Sequence, residues 1–291
     1  MRTLILLLAG VSLSVALSAA ELPGWQATEH LDAAHLGEVW STRGQRWIDA
    51  DQLVAELAGS DRVVVGEKHD NPDHHHLQLW LLQQLQARRP QAALLMEMLQ
   101  PGQQAAVTAL QHRELPASAA LSAQLDWQDG WDWSLYGPLV RWGLQVPQQL
   151  LAANLSAEQM MHRYRRSPPI SSRYSAAARA ELEQTLLDSH CGMLDAQRVP
   201  AMLAIQQGRD EQMARALAEA PAPALLLAGA YHARRDLGVP LHWQWQWGAA
   251  PAVVLLWEAG AGELPGHAQA DYVWLTPALP EQDYCAGWRE H

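Results

Sequence analysis

The chain is 291 residues long, 49% hydrophobic and 18% charged, enough apolar material for a well-covered core and too much for general disorder. Its formal net charge is −11, from 31 acidic and 20 basic residues, which argues against a nucleic-acid binder that would meet phosphates with basic surface. Two cysteines without a CxxC pair exclude a disulfide scaffold and a Cys-rich zinc site.

Met1-Arg2, the apolar run Thr3 to Leu17 and the small residues Ser18-Ala19-Ala20 read as a secretory signal over residues 1–20, cleaved after Ala20 or one residue earlier. The run is too short for the ~20 apolar residues that a membrane span needs. Leu8-Ala9-Gly10-Val11 has Val where a lipobox has its cysteine, so no thiol is present there to acylate. The expected address is periplasmic, soluble and without a lipid anchor. In that compartment Cys191 and Cys285 either pair or stay as two thiols.

Glu38–Trp40 and Arg46–Ile48 suggest a hairpin, and Asp49 to Leu57 a first helix. Arg62-Val63-Val64-Val65-Gly66 reads as a strand buried on both faces. Asn71 then caps a helix with Pro72 at its first position and apolar residues at 77, 80, 81 and 85. Ala92 to Met96 is the next strand, 101–125 is helical, and Gln148 to Ala153 is a weaker strand. From 154 to 220 the pattern is helical throughout. Ala224 to Ala228, Ala252 to Trp257 and Tyr272 to Leu275 complete the strands. This alternation predicts an α/β fold, a mostly parallel β-sheet flanked by helices. Residues 21–153 and 221–291 would form the sheet domain, and 154–220 a smaller inserted helical lobe. Trp243, Trp245 and Trp247 would lie on one face of an extended segment, packed as core or offered as an aromatic platform.

Ligands of such sheets bind at the carboxyl ends of the strands. Those ends carry Glu67, Lys68 and His69 after the first parallel strand, Glu97 after the second and Asn154 after the third. Tyr231, His232, Arg234 and Arg235 follow the strand at 224–228. Lys68 is the only lysine in a chain that also lacks Phe, a compositional bias that marks it for attention. Of the histidine triplet, His74 can face this rim and His75 is expected in solvent. No GxSxG elbow and no GxGxxG cradle is present.

Gly66-Glu67-Lys68-His69-Asp70-Asn71 with His74-His75 and Met96-Glu97-Met98 open a set of motifs in fixed order. Trp131-Asp132 with Tyr136, Ala153-Asn154, Ser189-His190-Cys191-Gly192, Arg209-Asp210 and Ala228-Gly229-Ala230-Tyr231-His232 continue it. In this order the chain resembles the ChaN-like haem-binding proteins, part of a wider group with Tiki-type proteases and erythromycin esterases. The resemblance implies a bacterial haem and iron uptake role in which two subunits enclose stacked haems. It implies a tyrosine on the iron, Tyr136 or Tyr231, with Tyr164 and Tyr174 further off, and basic residues such as Lys68 and Arg234 on the propionates. His69 and His232 complete the candidate haem site. Homodimerisation on haem and contact with uptake machinery follow from the same resemblance. The competing reading is a metal-dependent hydrolase or protease, with Glu67, His69, Glu97 and His232 around a divalent transition metal and its water.

Overall fold

The computed structural model describes residues 21–286; the expected signal segment lies outside them. β1 (Val39–Ser41) and β2 (Arg46–Ile48) form the antiparallel hairpin, followed by α1 (Ala50–Leu57), which Asp49 caps by accepting from the Gln52 N–H. β3 (Arg62–Glu67) leads into α2 (Pro72–Arg88), where the Asn71 side chain accepts from the Asp73 N–H and Pro72 occupies the first turn. β4 (Ala93–Met96), α3 (Gln104–Leu110), α4 (Ser118–Gln124), α5 (Trp133–Gln145) and β5 (Gln149–Ala152) follow. Three helices then run without a strand: α6 (Ala157–Arg166), α7 (Ala176–Ser189) and α8 (Val199–Glu219). β6 (Ala224–Gly229), the single turn α9 (Ala230–Ala233), β7 (Ala252–Glu258) and β8 (Tyr272–Thr276) complete the described chain.

The eight strands make one sheet in the order β2-β1-β8-β7-β3-β6-β4-β5, parallel from β8 to β5 and antiparallel at the β1 and β2 edge. Successive side chains of a strand point to opposite faces, and the buried residues sort accordingly. Val63, Val65, Leu225 and Leu227 pack with α1, α2 and α5, while Val64, Leu226, Val253 and Leu255 pack with α8 and α9. Each such Val or Leu withdrawn from water stabilises the fold by about 1.5–3 kcal/mol.

The free edge at β5 is covered by side-chain amides. Gln104 accepts from the Ala152 N–H and donates to Leu150 O, and Gln111 accepts from the Leu150 N–H. This satisfies backbone groups that would otherwise template another strand.

One local expectation is corrected, and one helix lies where the sequence reading placed no element. Trp243, Trp245 and Trp247 do not lie on an extended face, because residues 239–242 and 245–247 wind into 3-10 turns. Trp243 packs edge-on against Trp247, and Trp245 is left 89% exposed. The helix α5 was hidden in the sequence by Gly137 and by Pro138 in its interior. Its buried stripe of Tyr136, Leu139, Val140, Gly143 and Leu144 nevertheless has helical spacing.

Candidate functional site

Four parallel strands end along one rim. Glu67 closes β3, Glu97 follows β4, Gly229 closes β6 and Glu258 closes β7. Glu67 and Gly229 are register partners, so the Gly66-Glu67-Lys68-His69 and Gly229-Ala230-Tyr231-His232 turns leave neighbouring strands side by side. Gly66 is required where α9 crosses β3: a Cβ there would lie 2.6 Å from Ala233 Cβ and 2.7 Å from Leu255 Cδ2.

Glu67 is buried and fully engaged. The Tyr136 hydroxyl donates to its Oε1 at 2.5 Å, His69 Nδ1 lies 3.0 Å from the same oxygen, and Gln78 Nε2 donates to Oε2 at 2.5 Å. Burial pushes this carboxyl up, but His75 and His69 outweigh it and hold Glu67 down at about 2. Burial likewise pushes His69 down, yet the bond to Glu67 and the nearby Glu97 raise it to about 9, so the ring is an imidazolium at neutral pH. Burial and Glu67 push the Tyr136 phenol far above its ordinary range.

A second network lies beneath α9. His232 Nδ1 is 2.6 Å from Asp210 Oδ1 on α8, and its Nε2 is 3.4 Å from Glu97 Oε1. The Gly229 N–H donates to Glu97 Oε2 at 2.9 Å. Burial lowers His232, but Glu97 and Asp210 together raise it, and burial lifts Asp210 to about 6. Between the two networks opens a cleft of about 350 Å³, at the small end of the ~300–1,000 Å³ usual for ligand sites. Lys68 and His69 form one lip, Ala230, Tyr231 and His232 the other, and Gln206 of α8 closes the side.

The structure distributes the sequence candidates unevenly. Tyr231 stands 42% exposed at the cleft, whereas Tyr136 is buried with its hydroxyl given to Glu67. Tyr174 is buried against His242, away from the rim. Arg234, expected on a propionate, is buried and donates to both Glu181 and Asp236, with its guanidinium 5.8 Å from the Tyr231 ring centre. Lys68 keeps an exposed face but holds Glu258 at 3.0 Å. Asn154 serves the backbone, donating to Glu97 O.

His75, expected in solvent, is buried: its Nε2 is 2.9 Å from His69 O, and its ring stands edge-on to Tyr136. His74 accepts from the Lys68 N–H and reaches Thr276, and burial lowers it to about 3, so it stays neutral.

The metal-centred alternative meets a different arrangement. Among the described residues no group of three or more His, Cys, Asp or Glu is disposed to hold an ion. Glu67 and His69 pair with each other, and Glu97 with His232. Sequence reasoning gave no site role to Gln78, Gln206 and Asp210, which reach the rim only through the packing of α2 and α8. A carboxylate on the buried face of α8, between Gly208 and Met213, was the available signal for Asp210. Trp131, whose ring stands 4.9 Å edge-on from His69, also borders a hollow of about 700 Å³ with Trp127 and Trp133.

A family model described as haem-binding uptake, Tiki superfamily, ChaN matches residues 53–242, which takes in both networks and the cleft. The chain belongs to the ChaN family of haem-binding uptake proteins. Among solved structures it is similar to ChaN of Campylobacter jejuni, described with cofacial haem binding. The two are 26% identical with a TM-score of 0.72, over 81% of this chain and 95% of that one. The type III effector HopBA1 also matches, at 14% identity and a TM-score of 0.42, over 77% and 91% of the two chains. No curated protein matches. Among the described residues of this ChaN-family chain, no helix is long and apolar enough to cross a membrane.

Proposed function

We propose that this ChaN-family protein carries ferric haem as cargo in bacterial iron uptake, held at the strand-end cleft by the Tyr231 phenolate and shared between two subunits outside the cytoplasm. The observation that carries the reading is the exposure of Tyr231 at the cleft beside buried, fully engaged neighbours. A phenolate is a hard oxygen donor and an established axial partner of ferric haem. Tyr136 is the weaker choice, since its proton is held by Glu67 and its ring is buried. Lys68 and His69 on the facing lip offer charged donors to propionates, as charge-assisted bonds require.

A cleft of about 350 Å³ covers one side of a flat macrocycle and leaves the other to face the haem of a second subunit. The Campylobacter relative, described with cofacial haems, supports that arrangement. Removal of residues 1–20 would deliver the chain to the periplasm, where intact mass and fractionation of the mature protein check the address. The test of the cargo is a ferric haem titration followed by absorption, with sedimentation in parallel. We expect a high-spin tyrosinate spectrum, a shift from monomer to dimer, and loss of the tyrosinate bands in Tyr231→Phe. An unchanged spectrum in that variant would overturn the assignment.

A further inference from the structure

We propose that the Cys191–Cys285 disulfide locks a clamp on the haem tyrosine, and that its reduction by a dithiol loosens the hold on haem. The proposal rests on the Tyr231 reading above and concerns how that same site is regulated.

The two lips of the cleft are joined by one chain of contacts that passes through the disulfide. On the first lip, the segment after β8 runs beside the Lys68–Asp70 turn. The Leu279 N–H donates to Glu258, the partner of Lys68, and the Tyr284 hydroxyl donates to Asp70. Lys68 is the wall shared by the haem cleft and the neighbouring hollow that Tyr284 lines. On the second lip, Tyr231 lies under the Arg234 guanidinium at 5.8 Å. Arg234 donates in turn to both carboxylate oxygens of Glu181 on α7. That helix ends at Ser189 with His190 as its cap, the chain reverses through Cys191 at φ 57°, and Cys191 is bonded to Cys285, next to Tyr284. The bond closes the circuit from Asp70 through Tyr284, Cys285, Cys191, α7 and Arg234 to Tyr231.

The helix in the middle of that circuit has little else to hold it. Of the 14 residues of α7, only Ala178 and Leu182 are buried, in a small cluster separate from the two large cores. Its position therefore depends on that small cluster, shared with Val199 and Leu203 of α8, on the covalent tether at one end and on the Arg234–Glu181 contact along its length. Both cysteines are half-buried, so a reductant can reach them. In the reaction a dithiol's thiolate attacks one sulfur and breaks the Cys191–Cys285 bond, forming a mixed disulfide. The second thiol of the reductant resolves it. Two electrons and two protons end on Cys191 and Cys285, and the reductant leaves as its own disulfide.

The experiment measures haem transfer from the loaded, full-length mature protein to apomyoglobin in four samples: oxidised, phosphine-reduced, Cys191→Ser/Cys285→Ser, and oxidised Glu181→Gln. Release from the reduced and double-serine proteins should be faster than from the oxidised protein by about 5–150-fold, the usual range for coupled sites. Glu181→Gln should accelerate release without reduction. The phosphine should change nothing further in the double-serine variant. Equal rates before and after reduction would overturn the proposal, and so would acceleration of the double-serine variant by the phosphine, which would place the effect on the iron. Amide exchange of the unloaded protein gives an independent readout. Reduction should speed exchange in α7 and at 230–234 and leave β3 and β6 unchanged. Uniform acceleration would make the bond a general staple and reject the clamp. If Tyr231→Phe leaves the haem spectrum untouched, it is the haem reading that fails, and the exchange data still report on the lock.

Discussion

The Tyr136 hydroxyl donates to Glu67 Oε1 at 2.5 Å, from a helix that begins 66 positions after that glutamate. The bond fixes the proton on the phenol and the negative charge on the carboxylate, which separates the two tyrosines of the rim by role. Tyr136 holds the buried acid, and Tyr231 stands exposed at the cleft.

Exchanging the two tyrosines for Phe should therefore give opposite results. Tyr136→Phe removes one of the donors to a buried carboxylate and should lower stability by about 1–3 kcal/mol in urea unfolding. Its haem spectrum should stay tyrosinate-like. Tyr231→Phe should leave stability within about 0.5 kcal/mol, as for an exposed side chain, and abolish the tyrosinate bands.

The His69–Glu67 pair predicts a pH-dependent gap between the natural chain and His69→Gln. His69 titrates at about 9 in the fold against 6.5 for a free ring, so its contribution is complete below about 6.5 and is lost as pH rises through 9. Glu67, at about 2 against 4.5, contributes above about 4.5 and loses that as pH falls through 2. The difference in thermal midpoint between the two proteins should be largest near pH 5–6 and close by about pH 10. A gap that persists undiminished at pH 10 would contradict the imidazolium assignment.

Asp210 and His232 form a buried pair under the turn that carries Tyr231. Asp210→Ala should destabilise by about 3–5 kcal/mol, because it takes one partner from a buried charge. The double replacement Asp210→Leu/His232→Leu should cost less than the sum of the two single replacements, because either one alone already breaks the shared bond. A double-mutant cycle in denaturant measures the difference. Additive losses would mean that the pair is not coupled.

Gly66→Ala tests the close crossing of α9 over β3. The added methyl meets Ala233 Cβ, Leu255 Cδ2 and the Ala230 Cα, and two of these belong to the turn that carries Tyr231. Overpacking of this kind costs about 1–3 kcal/mol. Haem affinity should fall with it, whereas Gly102→Ala, with open space around its Cβ, should change neither.

Much of the sheet was legible because parallel strands buried on both faces read as continuous apolar runs. Val63–Val65 and Leu94–Met96 are such runs, and each ends where the first polar residue, Glu67 or Glu97, reaches the rim. The Asn71-Pro72 start of α2 was legible for a local reason, since a cap needs only the residues beside it. By contrast α5 was missed, because Pro138 is a local signal against helix that packing overrides. The tryptophan alternation at 243–247 misled for the opposite reason. Period two is strand-like only if a neighbouring strand supplies the ladder, and here Trp243 and Trp247 found each other instead.

The amino-acid sequence by itself determined the parallel α/β fold, the strand ends where polar residues gather, and the membership that its ordered motifs share with haem-binding uptake proteins. These follow from apolar periodicity, capping and short motifs, all set by neighbours along the chain. Tertiary structure alone decided which polar groups of the rim are spent and which are available. It buried Tyr136, His75 and Arg234, left Tyr231 at the cleft, brought Asp210 to His232 across 22 positions, and joined Cys191 to Cys285 across 94. The reason is physical: a side chain's charge, proton and exposure are set by what lies within a few ångströms, and those neighbours come from distant parts of the chain.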